Sequence, residues 1–181
     1  MESQSAFYRD AERYDRWFDE HLAVFEAELR AVRSLWPGGG RTVEIGVGTG
    51  RFAAALGISE GVDPSAPMRR LARARGVNAV NGVAERLPYA DEFFDAVLMV
   101  TTLCFLRDPD AGLRECHRIL RPGGVLVVGF RPCFVHWTKS GRMSRYGMAT
   151  AKACSWLSGV ANVIRSSYPC WLAARRCWPI R

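Results

Sequence analysis

Between residues 6 and 36, Phe7, Ala11, Tyr14, Phe18, Leu22, Phe25, Leu29 and Val32 recur at steps of three or four, with Arg, Asp and Glu between them. That spacing puts the apolar side chains on one helical face, so the segment is predicted as one amphipathic helix or two. It stops at Trp36-Pro37 and the three glycines that follow. From there the pattern changes to short apolar runs alternating with helical stretches. The first strand is expected over residues 42–45, followed by a glycine-rich turn over 46–50 and a short helix through Leu56. A second strand over 58–62 ends on Asp63, and Asp63-Pro64 opens a helix to about Arg75. Residues 77–80 make a third strand, and the nearly unbroken apolar run 93–100 reads as a strand buried on both faces. Asp108 with Pro109 is an N-cap with proline in the first turn. That helix runs to Leu120 and stops at Arg121-Pro122-Gly123-Gly124, before a fifth strand over 125–130. Strands alternating with helices predict the α/β class, a doubly wound and mainly parallel sheet with an N-terminal helical cap.

The net charge of +7 suggests nucleic acid until it is divided along the chain. Residues 1–130 hold 16 Arg, no Lys and 18 acidic residues, a balance of −2, whereas residues 131–181 hold 7 Arg and 2 Lys with no acid, a balance of +9. Basicity therefore belongs to the tail and not to the patterned domain, and no nucleic-acid partner is expected. The charged start, Met1 to Arg16, has no apolar core of a signal peptide, and no run reaches the ~20 apolar residues of a membrane span. A cytoplasmic protein with no transmembrane segment is the expectation. Cys104 and Cys116 fall in apolar segments and read as small core residues. Cys133, Cys154, Cys170 and Cys177 form no C-x-x-C pair and have no histidine at ligand spacing, so no metal site is expected.

The chemistry concentrates after the first strand. Gly46, Gly48 and Gly50 allow a sharp turn and bring backbone close to a ligand. A plain strand-to-helix turn is the competing reading. Their G-x-G-x-G spacing departs from the G-x-G-x-x-G of dinucleotide sites, which disfavours a nicotinamide-dependent oxidoreductase. Asp63, 13 residues beyond Gly50, closes the second strand at the edge where such sheets bind ligands. Its two oxygens suit both hydroxyls of a ribose. An N-cap on the next helix is the alternative role.

Glu44-Ile-Gly-Val-Gly-Thr-Gly50, Gly61-Val-Asp-Pro-Ser65, Gly82-Val-Ala-Glu-Arg-Leu-Pro88, Phe94-Asp95 and Arg118-Ile-Leu-Arg-Pro-Gly-Gly124 together resemble, in order and spacing, the class I S-adenosylmethionine (SAM)-dependent methyltransferases. The likeness is to the small-molecule, type 11-like branch, and it covers residues ~40–130 closely, with Tyr14-Asp-Arg-Trp-Phe18 similar to the aromatic helix that caps the cofactor. The resemblance implies a Rossmann-like fold, SAM as cofactor and a small-molecule methyl acceptor. Glu44 and the loop of Gly46, Gly48 and Gly50 would hold the methionine portion, Asp63 the ribose, and Pro64 and Ser65 the flank of the adenine. Ala84 and Glu85 would lie along the adenine edge, and Thr101 and Thr102 would face the methyl donor. Val83 stands where relatives often carry an aspartate for the adenine amino group, and no histidine lies near Phe105, so no catalytic base is assigned. Methyl transfer needs alignment and exclusion of water more than it needs a base. His117 reads as a packing or surface residue, and His21 is disfavoured as a catalyst.

The predicted organisation is a helical cap over 1–36, a SAM-binding domain over 37–130 and an atypical basic tail, rich in Trp and Cys, over 131–181. Relatives complete the sheet with a helix and an antiparallel hairpin, expected here to be missing or atypical. The composition break after Phe130 is read as a shifted reading frame, which would leave the fifth strand's edge uncovered. A tail that meets an acidic surface is the alternative. A truncated or degenerate domain that holds SAM without turnover is the alternative function.

Overall fold

The computed structural model describes residues 10–130 together with the backbone of residues 133–138 and 143–147. Two helices open it, α1 (Ala11–Glu20) and α2 (Leu22–Leu35). The single amphipathic run is broken at His21, which ends α1 and begins α2 at φ −128°. Asp10 caps α1 by accepting from the Arg13 backbone N–H at 2.9 Å. Then follow β1 (Thr42–Ile45), α3 (Arg51–Leu56), β2 (Glu60–Asp63), α4 (Ala66–Ala74), β3 (Asn78–Asn81) and β4 (Phe94–Val100). A 3₁₀ turn (Leu103–Phe105) leads to α5 (Pro109–Ile119), which is followed by β5 (Leu120–Phe130), β6 (Cys133–Thr138) and β7 (Met143–Gly147).

The sheet runs β3-β2-β1-β4-β5-β6-β7, with the first five strands parallel and β6 and β7 antiparallel to their neighbours. The order reverses between β1 and β4, so their carboxyl ends open the crevice where doubly wound sheets take ligands. The Arg121–Gly124 segment does not end α5 in a separate turn. It lies within β5 as an irregularity, because Phe94 pairs with Leu120 while Ala96 pairs with Val125. The edge of β5, expected to be bare, is paired with β6: Val128 stands opposite Val135 and Phe130 opposite Cys133. The hairpin is atypical in following β5 directly, only two residues on. The shifted-frame reading of the tail, Cys154, Cys170, Cys177 and the first turn expected at residues 6–9 lie outside the described residues.

Two apolar layers flank the sheet, and the strands feed them alternately. Val43 and Ile45 of β1, Val97 and Met99 of β4, and Leu126 and Val128 of β5 pack with α5 through Leu113, Cys116 and Ile119. Leu98, Val100 and Val127 face the other layer, with Phe18, Leu29, Val32, Phe52 and Ala53 from the first three helices. The connection from β3 to β4 is fastened by Arg118 of α5. Its guanidinium donates to the carbonyls of Tyr89 at 2.8 Å and Leu87 at 3.2 Å, and pairs with Asp91 at 2.7 Å and Glu115 at 2.7 Å. Glu115 in turn accepts from the Leu87 backbone N–H at 2.7 Å.

Phe94, wholly buried, stacks edge-on with Tyr89 at 4.8 Å and Phe93 at 5.0 Å. Phe94→Ala is expected to lower the stability by about 3–5 kcal/mol, read by urea unfolding at constant slope.

Candidate functional site

At the carboxyl ends of β1, β2 and β4 lies a cavity of about 900 Å³, in the size range of small-molecule sites. Its floor begins with Glu44. Strand alternation sends Val43 and Ile45 to the α5 layer, so Glu44 between them points the other way, towards α3 and the cavity. The residue is 2% exposed, and its Oε2 meets no donor within the protein. Burial pushes its pKa well above the ordinary carboxylate value; the Ala53 backbone lowers it and the Asp63 charge raises it further.

The chain leaves β1 through Gly46 at φ +71°, and a Cβ there would collide with the Thr102 side chain. The glycine is thus required by protein packing as well as by the turn. Gly48 opens onto the cavity, and its N–H donates to Asp63 Oδ2 at 3.0 Å. Gly50 serves the packing instead. It starts α3 and admits the backbone of α4, with Ala72 Cα only 2.9 Å from where its Cβ would stand. It does not line the cavity.

Asp63 closes β2 at 6% exposure and lines the cavity. Its Oδ1 accepts from the Ser65 N–H at 2.8 Å, and the helix cap falls instead to Ser65, whose Oγ accepts from Met68 N–H at 3.4 Å. Burial raises the Asp63 pKa against the lowering effect of the Ser65 and Gly48 N–H groups and of Arg69. Two N–H bonds leave acceptor capacity on both oxygens. Pro64 and Met68 wall the cavity beside it, whereas Ser65 is buried behind.

Val83, Ala84 and Glu85 form the wall beyond β3. Glu85 Oε1 accepts from the backbone N–H of Arg107 at 2.9 Å and Asp108 at 3.4 Å, so it joins two walls of the cavity. At the end of β4, Thr101 lines the cavity with φ +54°, a left-handed backbone that costs a β-branched residue about 1–3 kcal/mol. Thr102 donates to the Val100 carbonyl at 3.0 Å and fills the space left by Gly46.

The roof is α1, through Tyr14, Trp17 and Phe18, with Glu28 from α2. Phe18 packs edge-on against Phe25 at 5.6 Å and Phe52 at 6.5 Å. Burial, and then the nearby Glu44, Asp63, Glu28 and Asp15 charges, hold the Tyr14 hydroxyl firmly protonated. A clamp fastens the roof: Asp15 takes both Arg51 Nε at 2.8 Å and Nη2 at 3.0 Å, and Arg75 Nη2 at 2.6 Å. Arg51 also pairs with Asp19 at 2.8 Å, and Arg75 reaches the Thr49 carbonyl of the glycine loop at 2.9 Å. Burial alone would raise Asp15, but the bonds from Arg51, Thr49 and Arg75 prevail and hold it at about 2. His21 stacks on Trp17 at 4.4 Å outside the cavity, and His117 does not line it either. Among the described residues no cluster of three metal-ligating side chains occurs.

Glu44, Gly46, Gly48, Asp63, Pro64, Ala84, Glu85 and Thr101 are thus brought to one cavity; Gly50 and Ser65 support it from behind. Glu28 and Arg107 join them without having stood out in the sequence. Glu28 had a signal, for a carboxylate at position 28 shares the helical face of Phe25, Leu29 and Val32.

Residues 43–128 match the family described as a methyltransferase domain. An uncharacterised protein of Mycobacterium tuberculosis is 45% identical over 140 residues, 76% of this chain and 49% of that protein. A demethylmenaquinone methyltransferase of Roseiflexus is 39% identical over 134 residues, 67% of this chain and 56% of its own length. The chain therefore spans about half the length of these curated relatives. The crystal structure of a SAM-dependent methyltransferase from Thermotoga maritima aligns with TM-score 0.67 and 53% identity, over 68% of this chain and 59% of that one. Among the described residues no helix is long and apolar enough to cross a membrane.

The pKa of Asp15 is lowered from its ordinary 3.8 to about 2, so its stabilisation is full above about pH 4 and is lost as the pH falls towards 2. Asp15→Asn should remove about 2–3 kcal/mol of roof docking at neutral pH. Limited proteolysis should then cut within residues 10–36 first, and the difference from the native chain should shrink in acid.

Proposed function

We propose that this chain, whose residues 43–128 match the methyltransferase-domain family, binds SAM in the roofed cavity and transfers its methyl group to a small-molecule acceptor. The observation that carries the reading is Glu44: a buried carboxyl group, facing a cavity, with an oxygen that no protein group satisfies. A carboxyl group buried in this way is costly to ionise without a cationic donor, and the amino group of an amino-acid ligand is one. The neighbouring groups fit the rest of the same molecule. Asp63 retains lone pairs for two ribose hydroxyls, and Pro64 and Met68 offer apolar surface to a base. Ala84 and Glu85 stand at the far wall, where the base would end.

SAM supplies an activated methyl group on a positively charged sulfur. The chain's part is to align and to exclude water. Tyr14, Trp17 and Phe18 roof the site, and the Asp15 clamp holds them against the glycine loop through Arg75 and Thr49.

Calorimetric titration with S-adenosylhomocysteine (SAH) tests the reading. The native chain is expected to bind, and Glu44→Ala and Asp63→Ala each to weaken binding tenfold or more, about 1.4 kcal/mol. Undiminished binding by both variants, or binding of NAD in place of SAH, would refute it. Binding without turnover on thiol, phenol and amine acceptors would make the chain a SAM-holding module.

A further inference from the structure

Arg69 lies one turn into α4, next to Met68 of the cavity wall, and does not itself line the cavity. Its Nη1 donates to the Asp63 carbonyl at 2.7 Å and to Asn81 Oδ1 at 2.9 Å. Asp63 and Asn81 are register partners at the carboxyl ends of β2 and β3, so one guanidinium joins both strand ends at the crevice. The protein serves the rest of this side chain poorly, for Nε is buried and meets no acceptor within the chain. Leaving such a donor unsatisfied is costly. A neutral donor would join the two strands without bringing a cation against the sheet. The charge has a use beside it, in the Asp63 carboxyl group. Burial raises the pKa of that group, and the Ser65 and Gly48 N–H groups oppose the rise as neutral dipoles. Arg69 opposes it with a full positive charge. The other ionisable groups that bear on Asp63 give no such help: Glu44 of β1 repels it when ionised, and Tyr14 of α1 meets it as a protonated hydroxyl.

We propose that Arg69 is a positioning residue, which fixes the end of β2 from outside the cavity and lends its charge to the Asp63 carboxylate that the ligand meets. The inference rests on the SAM-binding reading and adds a residue that acts on the ligand only through Asp63. An ionised Asp63 can accept from two hydroxyls, whereas a protonated one has lost part of that capacity. Affinity for the ligand therefore falls as the pH drops through the Asp63 pKa. Without the Arg69 charge that pKa lies higher, and the fall begins at a higher pH. A residue that only joined β2 to β3 would weaken binding by one factor at every pH.

The test is SAH titration of the full chain between about pH 5.5 and 8, for Arg69→Gln and Arg69→Lys, each alone and with Asp63→Asn. Arg70→Gln, the same charge change at the exposed neighbour that pairs with Glu12 at 2.9 Å, is the control. Thermal melting shows which variants are folded. Arg69→Gln is expected to bind SAH about threefold more weakly than the native chain at the upper pH and roughly tenfold more weakly at the lower. Arg69→Lys keeps the charge and should stay within about threefold at both. Arg70→Gln should follow the native profile. In the Asp63→Asn background, Arg69→Gln should change affinity by one factor at all pH values, because the group that titrates is gone. A loss in Arg69→Gln that is the same at every pH, or a pH-dependent loss that persists with Asp63→Asn, overturns the proposal. So does an Arg69→Lys chain weakened roughly tenfold at the lower pH, a result that stands even if Arg69→Gln does not fold. A native chain that binds no SAH at any pH removes the SAM reading itself, and this inference with it.

Discussion

Glu44 holds a carboxyl group 2% exposed in β1, an interior strand of the sheet, with Val43 and Ile45 on either side packed into the opposite layer. Placing a carboxyl there is costly unless something outside the protein completes it. The remaining features follow from that requirement. The strand must end just beyond it, so that the carboxyl lies at the crevice and not inside the core. The turn must be tight, and Gly46 makes it so by giving its side-chain space to Thr102. Something must close the cavity above, and α1 does this with three aromatic side chains.

The roof and the floor are mechanically joined. Asp15 of α1 binds Arg51 at the start of α3 and Arg75 just after α4, and Arg75 also holds the carbonyl of Thr49 in the glycine loop. Docking of the cap therefore acts on the geometry of the loop directly below it. Glu85 plays the matching part on the other side, where its carboxylate fixes the backbone at Arg107 and Asp108. Each wall of the cavity is thus secured by a charged group bonded to the backbone of another segment, a rigid arrangement suited to alignment.

Much of this was legible in the residues because it depends on local pattern. The five parallel strands, the glycine turn and Asp63 at the end of β2 each carry a signal within a few positions, and their order along the chain gives the crevice. What was not legible depends on contacts between distant segments. Gly50 looks like a ligand glycine and is a packing glycine, since Ala72 approaches it from a helix more than 20 residues away. Asp63 before Pro64 looks like a helix cap, but Ser65 takes that place and frees the carboxylate for the cavity. Arg121–Gly124 looks like a stop and is an irregularity within β5, because pairing with β4 continues on both sides of it. The left-handed backbone of Thr101 has no local signal at all, for threonine is the wrong residue to announce it.

The central claim is that the buried carboxyl of Glu44 is completed by a cationic group of the ligand. Its pKa is raised by burial, so a cation arriving beside it should drive its proton off. The direct measurement is proton release on SAH binding, from calorimetry at about pH 6 in two buffers of different ionisation enthalpy, for the native chain and Glu44→Gln. The account predicts net release by the native chain that is lost in Glu44→Gln, together with weaker binding. Equal release by both proteins, or none by the native chain while it binds SAH tightly, would contradict it.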